Sequence, residues 1–460
     1  MTMIKRLSPR EFARTLPTIK VERLSRGEFS LALRRGQGRA LLHVAEYGDK
    51  GIEKELKKSL LKDDALFGVQ YRVNWILTLI ELSGRTKVYG KYLMDNFCQP
   101  SATPSDIEYQ YRLAHNFFEY GIFGFRAMMF KGFERIIVSG FMTDCAAALI
   151  EVAGQAGLEH VAKLCGARAD YINKRQCSEV LDGAIELGCE MTIMETMNAK
   201  SERNPDVKAF MEICADYKKD SERTYRTKRK RIKVDDLASL IEEGIAEKVP
   251  FKFFMFGLIA SDEELSQVRT KLLAAKTNTE RAAWLEVYSF KGVPEDSAEF
   301  FKFLKSRNVA VQSAAADAFS RTESPEVRDT ALKLLSSGKK SELLSALSLM
   351  ESNYRKCDAD LINRAVLLMS KENEVHIANS SLKQIISNEG GPELLSSVVH
   401  LYERLSCTLC RFDLLELLVE WDACPMRYLW EAQWDGDLDI QNYARGVVAN
   451  LEVDDLRECV

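Results

Sequence analysis

The chain has 460 residues, of which 46% are hydrophobic and 29% are charged, and its formal net charge is −4. This composition allows a large core and excludes general disorder, while the small net charge does not indicate a partner. Charged residues interrupt every long apolar stretch, which excludes a membrane-spanning helix. The eleven cysteines are scattered and odd in number, which argues against a disulfide framework and predicts a cytoplasmic, intracellular protein.

Apolar residues at three- and four-residue spacing predict helices of uneven length in the first half of the chain. Two clear examples are Ala40–Tyr47 and Val69–Leu82, and Thr103 or Ser105 is suited to cap the helix that follows Pro100 and Pro104. No constant period emerges before residue 200. We therefore predict that residues 1–198 form a helical domain or a set of degenerate repeats.

Residues 199–235 are predicted to be a polar, basic linker or loop. Between positions 218 and 233, nine lysines and arginines accompany only two acidic residues, and like charges packed this closely disfavour a continuous helix. The cluster Lys228, Arg229, Lys230 and Arg231 has the composition of a nuclear-import or nucleic-acid-binding patch. Short basic clusters are also common in solvated linkers, and the sequence leaves both interpretations open.

A helical repeat is predicted in residues 236–460. Two series of apolar helix cores interleave with one period of about 32 residues, starting at Val311, Leu343 and Val375 in the first series and at Val327, Leu361 and Leu394 in the second. One helix pair cannot bury its apolar face alone, so neighbouring pairs must stack. We predict an all-α protein whose C-terminal half is an α-solenoid. Ala315, Leu347 and either Ile377 or Ala378 should face the shared core, and Ala331 should lie where two helices meet.

Part of this region resembles a known repeat family. Residues 308–335 (NVAVQSAAADAFSRTESPEVRDTALKLL) resemble a HEAT repeat of the phycobilisome-lyase-like kind, and residues 437–451 (DLDIQNYARGVVANL) resemble the second helix of another repeat. The resemblance extends over roughly residues 300–455. It implies antiparallel helix pairs in a right-handed stack with a concave binding face, and it implies little about function.

One group of side chains is typical of a metal site. Cys407 and Cys410 form a CTLC sequence, with His400 before it and Cys424 after it. Structural zinc sites need four such ligands in a tetrahedral arrangement. No second cysteine pair accompanies this one, and the segment is apolar and helical. We therefore favour thiols that pack in the core, and we predict no metal or other cofactor.

No motif indicates catalysis, and no catalytic residue is predicted: the sequence contains no Walker loop, no dinucleotide-binding fingerprint and no nucleophile elbow. We predict a non-catalytic scaffold or adaptor that binds a protein partner on its repeat surface. Trp421, Trp430 and Trp434 would anchor that interface if they are exposed, and would seal the terminal repeat if they are buried. The alternative is a nucleic-acid-binding HEAT-like protein that uses the basic segments, such as a DNA glycosylase-like repair enzyme. The acidic C-terminal end argues against a duplex-binding groove there. The sequence does not predict an oligomeric state.

Overall fold

The computed structural model describes residues 22–63, 72–137, 142–188, 190–224, 231–294 and 298–458. Every regular element in these ranges is a helix, which confirms the predicted all-α class. None of the described helices is both long enough and apolar enough to span a bilayer. The chain divides into two compact units. The N-terminal unit comprises Met1–Lys228 and Met426–Val460, and the repeat unit comprises Arg229–Pro425.

The helices described in the N-terminal unit are α1 (Arg26–Arg35), α2 (Gly38–Tyr47), α3 (Glu53–Leu61), α4 (Arg72–Leu82), α5 (Thr86–Asp95), α6 (Pro104–Glu119), α7 (Phe125–Gly132), α8 (Met142–Ala153), α9 (Gln155–Gly166), α10 (Lys174–Leu187), α11 (Glu190–Ser201), α12 (Pro205–Thr224), α25 (Met426–Ala432) and α26 (Leu438–Glu458). Helix α6 begins as predicted, with Thr103 as its cap. The Thr103 hydroxyl accepts a hydrogen bond from the amide of Asp106 at 3.2 Å, and the Asp106 carboxylate accepts one from the amide of Thr103 at 3.0 Å. This reciprocal cap satisfies two amides that the helix leaves unpaired.

The C-terminal segment of the chain packs into the core of the N-terminal unit. Trp434 belongs to the same hydrophobic core as Phe29 and Leu79, and its backbone carbonyl accepts a hydrogen bond from Trp75 Nε1 at 3.0 Å. Gly38 allows α2 to approach this segment, since a Cβ atom at that position would lie 1.9 Å from the carbonyl oxygen of Glu431. The prediction placed residues 426–460 at the end of the solenoid, whereas the described residues 426–458 belong to the N-terminal unit.

Helix α12 covers most of the segment that was predicted to be a linker or loop. It runs from Pro205 to Thr224, and its residues Val207, Phe210 and Cys214 are buried at helical spacing. Lys218 also forms an ion pair with Asp182 of α10 at 2.7 Å. One buried apolar face and this ion pair stabilise the helix despite the basic charges that follow it.

The helices described in the repeat unit are α13 (Val234–Glu242), α14 (Pro250–Ile259), α15 (Asp262–Ala274), α16 (Asn278–Glu286), α17 (Phe301–Leu304), α18 (Val309–Phe319), α19 (Pro325–Ser337), α20 (Lys340–Met350), α21 (Ala359–Leu367), α22 (Glu372–Asn388), α23 (Leu395–Arg404) and α24 (Thr408–Glu420). Helices α14, α16, α18, α20 and α22 pack side by side as one layer, and α19, α21 and α23 pack side by side in a second layer. Helices α16, α18, α20 and α22 begin 31, 31 and 32 residues after one another. This two-layered helical repeat is the predicted solenoid-like architecture.

The helix faces agree with the predicted phase. Ala315, Leu347, Ala378 and Ala331 are all 0% exposed, whereas Ile377 is 45% exposed. Ala378 is therefore the core residue of α22, and Ile377 points away from the core.

Candidate functional site

Helices α14, α16 and α18 of the repeat unit leave a groove of about 410 Å³. Small side chains line much of it, including Ala282 and Ala283 of α16 and Ala310 and Ala314 of α18. These side chains are too short to fill the space between the helices. A groove of this size lies near the lower end of the range of ligand pockets, so it suits one or two side chains better than a large ligand.

The groove carries negative charge. Its lining contains Glu247, Glu286 and Asp317 and, among the residues that the structure describes, no lysine or arginine. Glu247 accepts a hydrogen bond from the hydroxyl of Thr279 at 2.8 Å. Glu286 and Asp317 occupy positions one repeat apart near the ends of α16 and α18, and both are partly buried. The repeat thus places two carboxylates in one confined space.

Burial controls the ionisation of these carboxylates. Burial, and to a smaller extent the nearby charge of Asp317, together raise the pKa of Glu286 from 4.5 to about 7. Burial also raises the pKa of Asp317, against the effect of the Ser348 hydroxyl, which donates a hydrogen bond to Oδ1 at 3.0 Å. A cation between the two groups would favour the charged form of both.

A third acid continues this pattern in the next repeat. The pKa of Glu351 is also raised to about 7. Burial is the main cause, the hydrogen bond from Ser381 opposes it, and the charge of Asp317 adds to it. The Ser381 hydroxyl donates to Glu351 Oε1 at 2.8 Å. We call Glu286, Asp317 and Glu351 the acidic row. Its members lie on α16, on α18 and at the C-cap of α20, three successive helices of one layer.

The structure describes only one residue of the predicted basic cluster. Lys228, Arg229 and Lys230 lie outside the described residues. Arg231 is described, and its Nη2 atom donates to the Glu264 carboxylate at 2.7 Å and to the carbonyl oxygen of Ile259 at 2.8 Å. Arg231 therefore makes contacts within the repeat unit itself.

The three tryptophans lie in different surroundings. Trp434 is 3% exposed in the core of the N-terminal unit, with the Arg445 guanidinium 5.6 Å from its ring centre. Trp434 therefore does not meet the condition of exposure for an interface role. It also does not seal the terminal repeat, because the C-terminal segment packs against α2 and α4 of the N-terminal unit. Trp421 and Trp430 are partly exposed, and their role at an interface stays a prediction.

The metal-site candidates separate into two groups. His400 Nε2 lies 2.9 Å from the carbonyl oxygen of Met369, and the Cys424 thiol faces the carbonyl oxygen of Pro425 at 3.8 Å. Among the described residues, neither belongs to the group of ligand atoms that lie within 4.8 Å of one another around the cysteine pair.

Cys407 and Cys410 lie together at the start of α24. Burial and the contact with Cys407 raise the pKa of Cys410 to about 12. The imidazole that the structure places beside them is His376 of α22, with Nε2 3.7 Å from Cys410 Sγ.

Sequence reasoning did not select the acidic row or His376. The chain contains 68 aspartates and glutamates, and the sequence does not show which of them approach one another. A signal was nevertheless present. Glu286 follows the apolar residues of RAAWLE, and Asp317 interrupts the small-residue run SAAADAF one repeat later. His376 precedes Cys410 by 34 residues, which is also close to one repeat.

Comparisons of the chain with protein-family models, with curated proteins and with solved structures find no match. Function is therefore inferred from the groove and its charges.

Proposed function

We propose that the protein is a non-catalytic scaffold or adaptor whose HEAT-like repeat unit binds a basic segment of a protein partner. One observation carries this proposal. The groove between α14, α16 and α18 holds Glu286 and Asp317 in partly buried positions, and the described part of its lining offers them no lysine or arginine.

The groove matches the chemistry of a lysine or arginine side chain. The aliphatic stem of such a side chain would lie along Ala283, Ala310 and Ala314, and its charged end would reach the carboxylates. Charge-assisted hydrogen bonds to Glu286 and Asp317 are stronger than neutral ones in a partly dry site. Binding would also restore the charge that burial disfavours, so the ligand and the carboxylates would stabilise each other.

The same charges disfavour nucleic acid at this site. Phosphates are attracted by lysine and arginine and repelled by carboxylates. Glu247, Glu286 and Asp317 make the groove acidic, and Arg231 is engaged by Glu264. These contacts support a protein partner over the nucleic-acid alternative.

The cysteines support a cytoplasmic location for this interaction. The described cysteines are free thiols, and most of them are buried. Thiols persist in this form in the reducing cytosol, whereas secreted proteins commonly form disulfides.

Binding of a fluorescein-labelled lysine-rich peptide, measured by fluorescence anisotropy, tests the proposal. The double variant Glu286→Gln/Asp317→Asn should weaken binding at least about tenfold, because each close charge pair contributes on the order of 1.5 kcal/mol or more. The matched control is Asp329→Asn/Asp360→Asn, which removes the same charge from exposed positions on α19 and α21 and should change affinity little.

A second peptide with glutamine in place of every lysine should bind poorly to all variants. Equal lysine-peptide affinity in the wild type and both double variants would refute the groove as the binding site. Tighter binding of duplex DNA than of the lysine peptide would favour the nucleic-acid alternative.

A further inference from the structure

The second feature of interest is a cluster of soft metal ligands in the last repeats. Cys407 is the N-cap residue of α24, Cys410 lies in its first turn, and His376 lies in the second turn of α22. One ligand atom from each residue lies within 4.8 Å of both others. The cluster is partly accessible, since His376 and Cys410 are neither fully buried nor fully exposed.

The spacing of these atoms is close to that of a tetrahedral zinc site. Zinc binds cysteine sulfur at about 2.3 Å and histidine nitrogen at about 2.0–2.1 Å, which places adjacent ligands about 3.6–3.8 Å apart. The observed distance between Cys410 Sγ and His376 Nε2 is 3.7 Å. Only small side-chain adjustments would bring Cys407 Sγ to the same spacing.

A buried carboxylate oxygen lies one helical turn before His376. Glu372 Oε1 is buried and has no hydrogen-bond partner within the part of the chain that the structure describes. Residues four apart share one face of a helix, and side chains lean towards the preceding turn, so His376 leans towards Glu372. A buried carboxylate oxygen without a hydrogen-bond partner is unfavourable, and a nearby cation would supply the missing interaction.

We propose that His376, Cys407 and Cys410 bind one zinc ion. Glu372 lies outside this group of ligand atoms, and a change of its side-chain rotamer would bring it to the fourth position. Two thiolates and an imidazole select zinc over hard cations such as magnesium or calcium. The ion would join α22 to α24, two helices that are also joined by the Lys383–Asp413 ion pair. The sequence favoured thiols that pack in the core at these positions. The proposal of a zinc site replaces that interpretation because His376 lies beside the two thiols.

Metal analysis of the full-length protein, purified in a non-thiol reductant without a metal-affinity step, tests this site. We expect one zinc per chain, which a chelator removes with a fall in the melting temperature. Cobalt(II) added to the metal-free protein should give thiolate charge-transfer absorption and intense tetrahedral d–d bands. His376→Gln and Cys410→Ser should each lower zinc affinity by at least about tenfold.

His400→Gln and Cys424→Ser are matched controls, because they make the same chemical changes outside the cluster. Both should keep the metal and the cobalt spectrum. Glu372→Gln should keep the thiolate charge-transfer band while changing the d–d bands, and it keeps the proposal testable if a ligand variant folds poorly. Metal-free wild-type protein that binds neither ion at micromolar concentration would overturn the proposal. Equal metal loss in the His400 or Cys424 control, or a Cys407–Cys410 disulfide in the reduced preparation, would overturn it as well.

Discussion

Removing the charge of Glu286 should stabilise the free protein while weakening the proposed binding. Burial and the nearby charge of Asp317 give the Glu286 carboxyl a pKa of about 7 in the folded chain, compared with 4.5 ordinarily. The folded state therefore holds this proton more tightly than the unfolded state. The resulting stability is fully present below about pH 4.5 and is lost as the pH rises through about 7. Above that pH, the ionised carboxylate destabilises the empty groove.

The magnitude follows from the pKa difference. A tenfold change in proton affinity corresponds to about 1.4 kcal/mol, so a rise from 4.5 to about 7 sets an upper limit of about 3 kcal/mol. Glu286 is partly exposed, and solvent screening reduces the effect. We expect Glu286→Gln to raise the free energy of unfolding of the repeat unit by about 1–2 kcal/mol near pH 8, and to change it little near pH 4.

Urea unfolding followed by pulsed hydrogen exchange and mass spectrometry can measure this effect in peptides from α16 and α18. This readout isolates the repeat unit, which matters because the chain has two compact units and need not unfold in one step. The control is Glu280→Gln in the same helix. Hydrogen bonds from the Lys276 and Thr277 amides lower the pKa of Glu280, so this variant should lose stability or stay unchanged near pH 8. A Glu286→Gln variant that is less stable than the wild type near pH 8 would refute this reasoning.

Three further predictions concern packing and the basic cluster. Ala331→Asp should lower the free energy of unfolding of the repeat unit, measured by urea unfolding, by at least about 3 kcal/mol, because it buries an unpaired charge. The exposed control Ser336→Asp should show no comparable loss in the same assay. Gly38→Ala should lower the free energy of unfolding of the N-terminal unit, measured by calorimetry, by about 1–3 kcal/mol, because the added Cβ would overlap the Glu431 carbonyl. The control Gly27→Ala places its Cβ in open space and should leave this free energy unchanged or raise it. Changing residues 228–231 to glutamine should leave peptide binding intact. If these side chains instead contact phosphates, DNA titrations at several salt concentrations should show the slope of log affinity fall by about 0.9 per lost contact.

The repeat could be predicted from sequence because its signal is local. Apolar residues at helical spacing define which face of each helix is buried, and a constant period places equivalent helices next to one another. Ala315 and Ala331 were assigned to the core on this basis, and both are fully buried. The cap at Thr103 was accessible for the same reason, since its partners lie within three residues.

The features that were missed depend on contacts between distant segments. Periodicity shows that a terminal helix has an apolar face, but it does not show which core that face packs against. Trp434 packs in the core of the N-terminal unit and not against the preceding repeat. Charge density suggested a linker where Phe210 and Cys214 provide a buried helical face. The groove carboxylates and His376 become meaningful only once helices about one repeat apart are brought side by side.

Methyl NMR of the protein labelled at alanine methyl groups tests the central claim most directly, because alanines line the groove. Titration with the lysine-rich peptide should shift the Ala283, Ala310 and Ala314 signals, leave the buried Ala331 signal unchanged, and have no effect when glutamine replaces the peptide lysines. Shifts confined to alanines outside the groove, or equal shifts with both peptides, would contradict the proposal that this acidic groove binds a basic segment of a protein partner.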